Sequence, residues 1–254
     1  MNIDYISDLH LDFYVKREGS QEKFEQKTFR FLEGLLPIEL GDVLVIAGDI
    51  SHFNAQSGLT LKYFSSRYKH VLFVLGNHDY YLTSTKQERK YHQNSHERAL
   101  ELLQMIERLP NVTLLQKFEK VTVEGITFAG ATNWYSLEDF ADLQYFRTVS
   151  NDSVMIQGME LAHEHTEEQN HYRTLDEVDV CITHVPPLLI NSHKRYSTTS
   201  CYLNELKVIK APHYIFGHCH EQNIYQKADI HFYINALGYP SEQLIQQIRS
   251  FTLI

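Results

Sequence analysis

Apolar residues come in short unbroken runs along this chain, and each run ends in an abrupt change to small or polar side chains. Val43–Ala47 and Val71–Leu75 are apolar throughout, and Met1–Asp8 carries a similar run into Ser7-Asp8-Leu9-His10. Such continuous runs read as strands buried on both faces. Between them, Phe24, Thr28, Phe31, Leu32 and Leu35 recur at helical spacing and stop at Pro37, and a second helix is expected around Leu59–Tyr68. Strand, helix, strand, helix, strand is the alternation of parallel strands joined by crossover helices.

Further along, the pattern loosens. Thr83–His96 is polar and charged, a solvated helix or loop, whereas Leu102, Leu103, Ile106 and Leu109 make one helical face stopped by Pro110. Val112–Leu115, Val121–Val123 and Ile126–Ala129, with Glu124-Gly125 as a hairpin turn, read as entry into a second sheet. The weakly patterned 134–176 segment is expected to be an insertion of loops and helices beside the active face. Val178–Ile182, His213–Phe216, Ile230–Ile234 and Ser250–Ile254 supply the remaining strands, with helical pattern at Leu203–Ile209 and a turn at Gly238-Tyr239-Pro240. No repeat, low-complexity tract or linker interrupts the 254 residues, so one domain over 1–254 is expected.

The chemistry sits where the runs end. Asp8, His10, Asp49, Asn77, His78, His184, His218 and His220 all follow strand-like segments, and in open α/β sheets that is where ligands bind. The set is oxygen and imidazole, with no thiolate in an obvious ligand role. It suits Mn²⁺, Fe or Zn²⁺ at a catalytic site rather than a structural zinc. Seven ligands exceed the needs of one catalytic ion and match two ions sharing a carboxylate. Two ions about 3.5–4 Å apart form the clamp used for in-line displacement at phosphorus. An imidazole beside them is matched to protonating a leaving oxygen near neutral pH.

Composition narrows the partners. A formal net charge of −9 leaves no footprint for sequence-independent nucleic-acid binding, so only a locally held nucleic-acid substrate fits. No apolar run reaches membrane-spanning length and no leader is read at the N-terminus, so no membrane partner is expected. Three scattered cysteines, Cys181, Cys201 and Cys219, suit a reducing cytoplasm. Cys219 reads as a packed filler rather than a third ligand. His163, His165 and His171 read as solvated helix positions rather than another metal site. Asn133 and Trp134 either line the substrate pocket or pack beneath it, and His193, Lys194 and Arg195 either touch a substrate phosphate or form a solvated loop.

Taken in order, Asp8-x-His10, Gly48-Asp49, Gly76-Asn77-His78-Asp79, the lone His184 and Gly217-His218-Cys219-His220 resemble the motif series of the calcineurin-like metallophosphoesterase superfamily. Within it, Ile6–Leu11 and Asn235–Pro240 are similar to bacterial and phage-type phosphohydrolases. The resemblance implies an α/β (α+β) fold, a four-layer αββα sandwich of two mixed β-sheets flanked by helices. It implies one metal on Asp8, His10, Asp49 and His220, and a second on Asp49, Asn77, His184 and His218, with Asp49 bridging. The ions would be Mn²⁺, with Fe, Zn²⁺ or Ni²⁺ as alternatives. Hydrolysis of a phosphodiester or phosphomonoester would proceed by attack of a metal-bridging hydroxide, with Asp49 and His78 catalytic and His78 assisting the leaving group. A small phosphoester or nucleotide is the implied substrate. A metal-dependent nuclease and a non-catalytic metal-binding scaffold are the alternatives. The segment Gly48–Phe53 lacks the Asp and Arg that protein Ser/Thr phosphatases carry there, which disfavours a phosphoprotein substrate. His52 stands in place of that Asp, and what orients His78 is left open.

Overall fold

A computed structural model of the chain describes residues 1–189 and 200–253. Strands β1 (Asn2–Ile6), β2 (Val43–Ala47), β3 (His70–Val74) and β4 (Val112–Leu114) run parallel in one sheet. The second sheet is built from β5 (Val121–Val123), β6 (Ile126–Ala131), β7 (Val180–Thr183), β8 (His213–Phe216), β9 (Gln222–Lys227) and β10 (Ile230–Asn235), in the order β5-β6-β7-β8-β10-β9. Its central strands are parallel and its two edges antiparallel. Strand β11 (Arg249–Thr252) returns to the first sheet, antiparallel to β1.

The layering follows from residue alternation, since successive strand side chains face opposite ways. In β2, Leu44 and Ile46 pack with Leu32, Leu61, Phe64, Leu102 and Ile106 from the helices α2 (Gln21–Glu33), α3 (Asn54–Ser65) and α5 (Ser95–Ile106). Val43, Val45 and Ala47 face the other way, against Phe128, Val180, Ile182 and Ile215 of the second sheet. The far face of the second sheet, with Ala129, Cys181, Tyr214, Phe216 and Phe232, is covered by Tyr172 and Leu175 at the end of helix α8 (Leu161–Thr174) and by Leu206 and Ala211. These layers are two mixed sheets flanked by helices. Each fully buried aliphatic side chain in them contributes roughly 1.5–3 kcal/mol, which offsets the cost of the charged groups buried at the sheet ends.

Several local expectations are corrected. Val112–Leu115 does not open the second sheet; the crossover through α5 returns the chain to the first, where Val112 pairs with Val71. No helix forms at Leu203–Ile209: the Asn204 and Leu206 N–H groups donate to the Pro186 and Pro187 carbonyls instead of to a helical ladder. Strand β9 had no sequence signal because it is a polar edge strand, largely exposed. The 134–176 segment folds as helices α6 (Phe140–Thr148) and α7 (Asp152–Met155) and then α8. Short helices α1 (Leu11–Tyr14) and α4 (Thr85–Lys90) complete the set.

Candidate active site

Parallel strands exit at one edge of each sheet, so β1, β2 and β3 deliver Asp8, His10, Asp49, Asn77 and His78, while β7 and β8 deliver His184, His218 and His220. The exits are sharp. Asp8, His10, Asp49, His218 and His220 have φ of 49°, 41°, 57°, 71° and 48°, the left-handed region that costs a non-glycine residue about 1–3 kcal/mol. Backbone bonds hold them there: the Asp8 and His10 N–H groups donate to the Gly48 and Asp49 carbonyls, each at 3.0 Å. Two glycines make the approach possible. A Cβ on Gly48 (φ 87°) would stand 2.4 Å from His184 Nδ1, and one on Gly76 would stand 2.1 Å from Asp49 Oδ1.

The delivered side chains converge. His10 Nε2 and His220 Nε2 lie 3.0 Å apart, and His218 Nδ1 is 3.2 Å from His184 Nε2. His184 Nε2 is also 3.0 Å from Asn77 Oδ1 and 3.3 Å from Asp49 Oδ2, and His220 Nε2 is 3.6 Å from Asp8 Oδ1. Ligand atoms of Asp8, His10 and His220 lie within 4.8 Å of one another, as do those of Asp8, Asp49 and His184, and those of His10, Asp49 and His78. The outward-facing atoms are already used. His184 Nδ1 is 2.9 Å from the Ala47 carbonyl, His218 Nε2 is 3.0 Å from the Cys201 carbonyl, and His220 Nδ1 is 2.8 Å from Glu242 Oε2. A carbonyl or carboxylate can only accept, so each outer nitrogen carries a proton, and each ring in its neutral form presents a lone pair at the inner nitrogen. Asn77 is set the same way: its Nδ2 donates to Asp152 Oδ1 at 2.8 Å, which turns Oδ1 inward. Facing lone pairs at hydrogen-bond distance repel unless a proton or a metal cation lies among them, and a cation can serve all of them at once. These residues therefore fit divalent metal ions, with partners outside the cluster fixing ligand direction.

Charge balance supports the same reading. Asp8 and Asp49 are fully buried, and buried carboxylates require compensating charge. Burial would raise Asp49, but His184, His78 and His10 hold it well below the usual carboxylate range. Burial would lower His184, but Asp49 and Asp8 push it up to about 9, so its Nε2 gives up a proton where a divalent cation takes over their charge. Burial lowers His218 to about 3, keeping that imidazole neutral at pH 7, and lowers His78 to about 4 against the raising pull of Asp49.

His78 is held from several sides. Its N–H donates to Asp49 Oδ1 at 2.9 Å, and its carbonyl accepts from Arg98 Nη1 at 2.8 Å. The buried Arg98 also donates to the Tyr81 and Ser51 carbonyls, each at 2.7 Å, and so ties the β2 exit to the β3 exit. Asp79 does the same with its carboxylate, accepting from the N–H groups of Asp49, Ile50 and Gly76 at 2.8, 3.1 and 2.9 Å. His78 Nδ1 lies 2.8 Å from His52 Nε2, and His52 Nδ1 lies 2.8 Å from Asp12 Oδ2. Asp12, Arg98, Asp152 and Glu242 carry no motif signal of their own. Asp12 directly follows Ile6–Leu11, Asp152 lies in the 134–176 segment, and Glu242 sits close behind the Gly238-Tyr239-Pro240 turn, but nothing in those segments marked these residues themselves.

A cavity of about 440 Å³ opens over the cluster. Asp49, Asn77, His78, His218 and His220 floor it, and Tyr81, Tyr145, Tyr202 and Tyr239 supply aromatic walls. Asn133 and Trp134 pack beneath rather than line it. Asn133 Nδ2 donates to the Val185 and Asn204 carbonyls, and Trp134 is buried with Tyr135, Ile156 and Leu161. Cys219 is packed in the core, its thiol pushed well up by burial. Among the described residues, His163, His165 and His171 join no metal-ligating group, and His165 Nδ1 is engaged with the Trp134 carbonyl at 2.7 Å. His193, Lys194 and Arg195 lie outside the described residues.

Compared with known proteins, residues 1–222 match the calcineurin-like phosphoesterase family. No curated protein matches the sequence. Among solved structures, the phosphopantetheinyl hydrolase of Mycobacterium tuberculosis aligns at a TM-score of 0.71 and 18% identity, over 100% of this chain and 96% of that one. A candidate 5′-nucleotidase from Staphylococcus aureus aligns at a TM-score of 0.46 and 14% identity, over 94% of this chain and 49% of that one. At these identities the first likeness speaks for the fold. With the match running from the first strand through His218 and His220, the chain belongs to the calcineurin-like phosphoesterase family.

Proposed function

We propose that the protein hydrolyses phosphoesters of small organic molecules or nucleotides, with phosphodiesters favoured over phosphomonoesters. The observation that carries this reading is the convergence of inward-facing imidazole nitrogens, an amide oxygen and carboxylates, with His184, His218, His220 and Asn77 tied down at their outer atoms. Asp8, His10, Asp49 and His220 would hold one divalent ion, and Asp49, Asn77, His184 and His218 a second, Mn²⁺ being the first choice. Bound there, the ions would supply a nucleophile drawn from water and compensate the phosphoryl charge. Asp49 stands between the two sets and serves both. His78, with Nδ1 turned to His52 and its ring lining the cavity, presents Nε2 to the substrate; protonated on both nitrogens, it would give the Nε2 proton to the leaving oxygen and return to the neutral ring. The tyrosine-walled cavity has the size of a small-molecule site, and the phosphopantetheinyl hydrolase among its structural neighbours likewise takes a phosphate-bearing organic group by name.

The test is hydrolysis of bis-p-nitrophenyl phosphate and p-nitrophenyl phosphate by metal-stripped protein, with Mn²⁺, Ni²⁺, Zn²⁺ or Mg²⁺ added back. Metal-restored turnover of the diester above the monoester is expected. Turnover of the monoester alone reassigns the protein as a phosphatase. Silence on both, with two ions bound, contradicts the general reading.

A further inference from the structure

We infer that Asp12 and His52 form a hydrogen-bonded relay that positions His78 and fixes which of its ring nitrogens meets the substrate. Three separate elements build the relay: Asp12 lies in α1, His52 just ahead of α3, and His78 in the short turn after β3. Asp12 grips His52 twice. Its Oδ1 accepts the His52 N–H at 3.1 Å, and its Oδ2 lies 2.8 Å from His52 Nδ1. The His52 carbonyl accepts from Gln87 Nε2 at 2.7 Å, so the residue is held by backbone and ring together.

Proton positions follow in order. An ionised Asp12 can only accept, so His52 carries its proton on Nδ1 and offers a lone pair at Nε2. That lone pair receives the His78 Nδ1–H across 2.8 Å, so a proton on Nε2 is the second on the ring: the imidazolium gives it to the leaving oxygen and returns to the Nδ1–H form, with the Asp12 charge behind His52 favouring the protonated ring. The two rings are tilted by only 25°, and Tyr81 stacks on His78 at a centroid distance of 4.2 Å, so the ring has little freedom to turn. Asp12 would need only its backbone and Nδ1 contacts to pin the loop. The in-line approach of His52 Nε2 to His78 Nδ1 is the part that a loop anchor does not require. A carboxylate placed behind a catalytic imidazole sets its tautomer in the same manner elsewhere; here a second imidazole lies between them.

The inference rests on the proposed role of His78 in proton delivery, and leaving-group dependence tests the two separately. A p-nitrophenyl oxygen departs without a proton, whereas a phenyl oxygen needs one. With phenyl esters, kcat in His52→Ala and Asp12→Asn is expected to fall about 10²-fold, the lower end for general acid–base catalysis. With p-nitrophenyl esters the loss should be less than about tenfold, with KM and bound metal unchanged. Asp12→Asn keeps the size of the side chain and an Oδ1 acceptor for the His52 N–H while setting an amide donor against His52 Nδ1–H, so it breaks the relay with little change of shape. His52→Gln can place an amide oxygen near the position of Nε2 and should recover most of the activity missing in His52→Ala. Equal losses on both leaving groups, or no difference between His52→Gln and His52→Ala, would overturn the relay. A sensitive His78→Ala beside silent His52 and Asp12 variants would overturn the relay alone. An insensitive His78→Ala would remove the proton-delivery role, and the relay with it.

Discussion

Histidine is put to opposite uses in two regions of this molecule. At the strand exits, His10, His184, His218 and His220 turn inward on left-handed or tightly held backbone, each with a neighbour for its ring within 3.2 Å. On α8, His163 and His171 are exposed, and His165 is half-buried with Nδ1 at the Trp134 carbonyl. Residues two apart on a helix do not share a face, so His163 and His165 cannot chelate together. Number of imidazoles is not what makes a site. Two packed sheets that aim their parallel strand ends at one point, with an acceptor behind the rings of His184, His218 and His220, make it.

If that contrast is right, removing a strand-exit group should cost far more than removing any of the helical histidines. Asp49→Ala should be most severe, because Asp49 stands between both proposed metal sets; a fall in turnover of about 10³-fold or more corresponds to the several kcal/mol such ions contribute. Steady-state kinetics at saturating Mn²⁺ would measure it. His78→Ala should lower kcat on phenyl esters by about 10²–10⁴-fold while leaving metal content intact, checked by kinetics alongside metal analysis. Arg98→Met acts on the scaffold. It leaves the Ser51, His78 and Tyr81 carbonyls without their donor and Asp79 without its counter-charge, so chemical denaturation should show a loss of about 3–5 kcal/mol.

Asp152→Asn is a finer probe. The carboxylate accepts from Asn77 Nδ2 and from the Tyr81 and Tyr135 hydroxyls, and an amide there meets donors with a donor. Release of Asn77 should lower metal affinity about tenfold, in line with losses of partners behind metal ligands, as a competition titration would read. His163→Ala should change neither bound metal nor turnover by more than about twofold, as expected of a surface position. Loss of an ion in that variant would break the contrast.

Much of this was legible in the sequence, for a physical reason. A strand buried on both faces must be apolar throughout, so Val43–Ala47 and the run through Val71–Val74 announced themselves, and polar residues immediately after them had to lie at the sheet's edge. That placed Asp8, His10, Asp49, Asn77, His78, His184, His218 and His220 before any coordinates. Partners across the fold were not legible. Asp12 meets His52, Arg98 meets His78 and Asp152 meets Asn77 through hydrogen bonds between segments distant in sequence, and no periodicity encodes such pairs. Apolar spacing also misled at Leu203–Ile209, where N–H groups drawn to the Pro186 and Pro187 carbonyls outcompete weak helical preference. The hairpin at Glu124-Gly125 was legible because both residues take positive φ, the turn that such a pair favours.

The central claim is that the strand-exit cluster is a two-ion centre organised by Asp49. Its most direct test is metal stoichiometry, measured by elemental analysis on wild type and Asp49→Ala after Mn²⁺ loading and desalting. Two ions per wild-type chain, with both sites depleted in Asp49→Ala, are predicted. A single ion in wild type, or two ions retained at full occupancy in Asp49→Ala, would contradict the account.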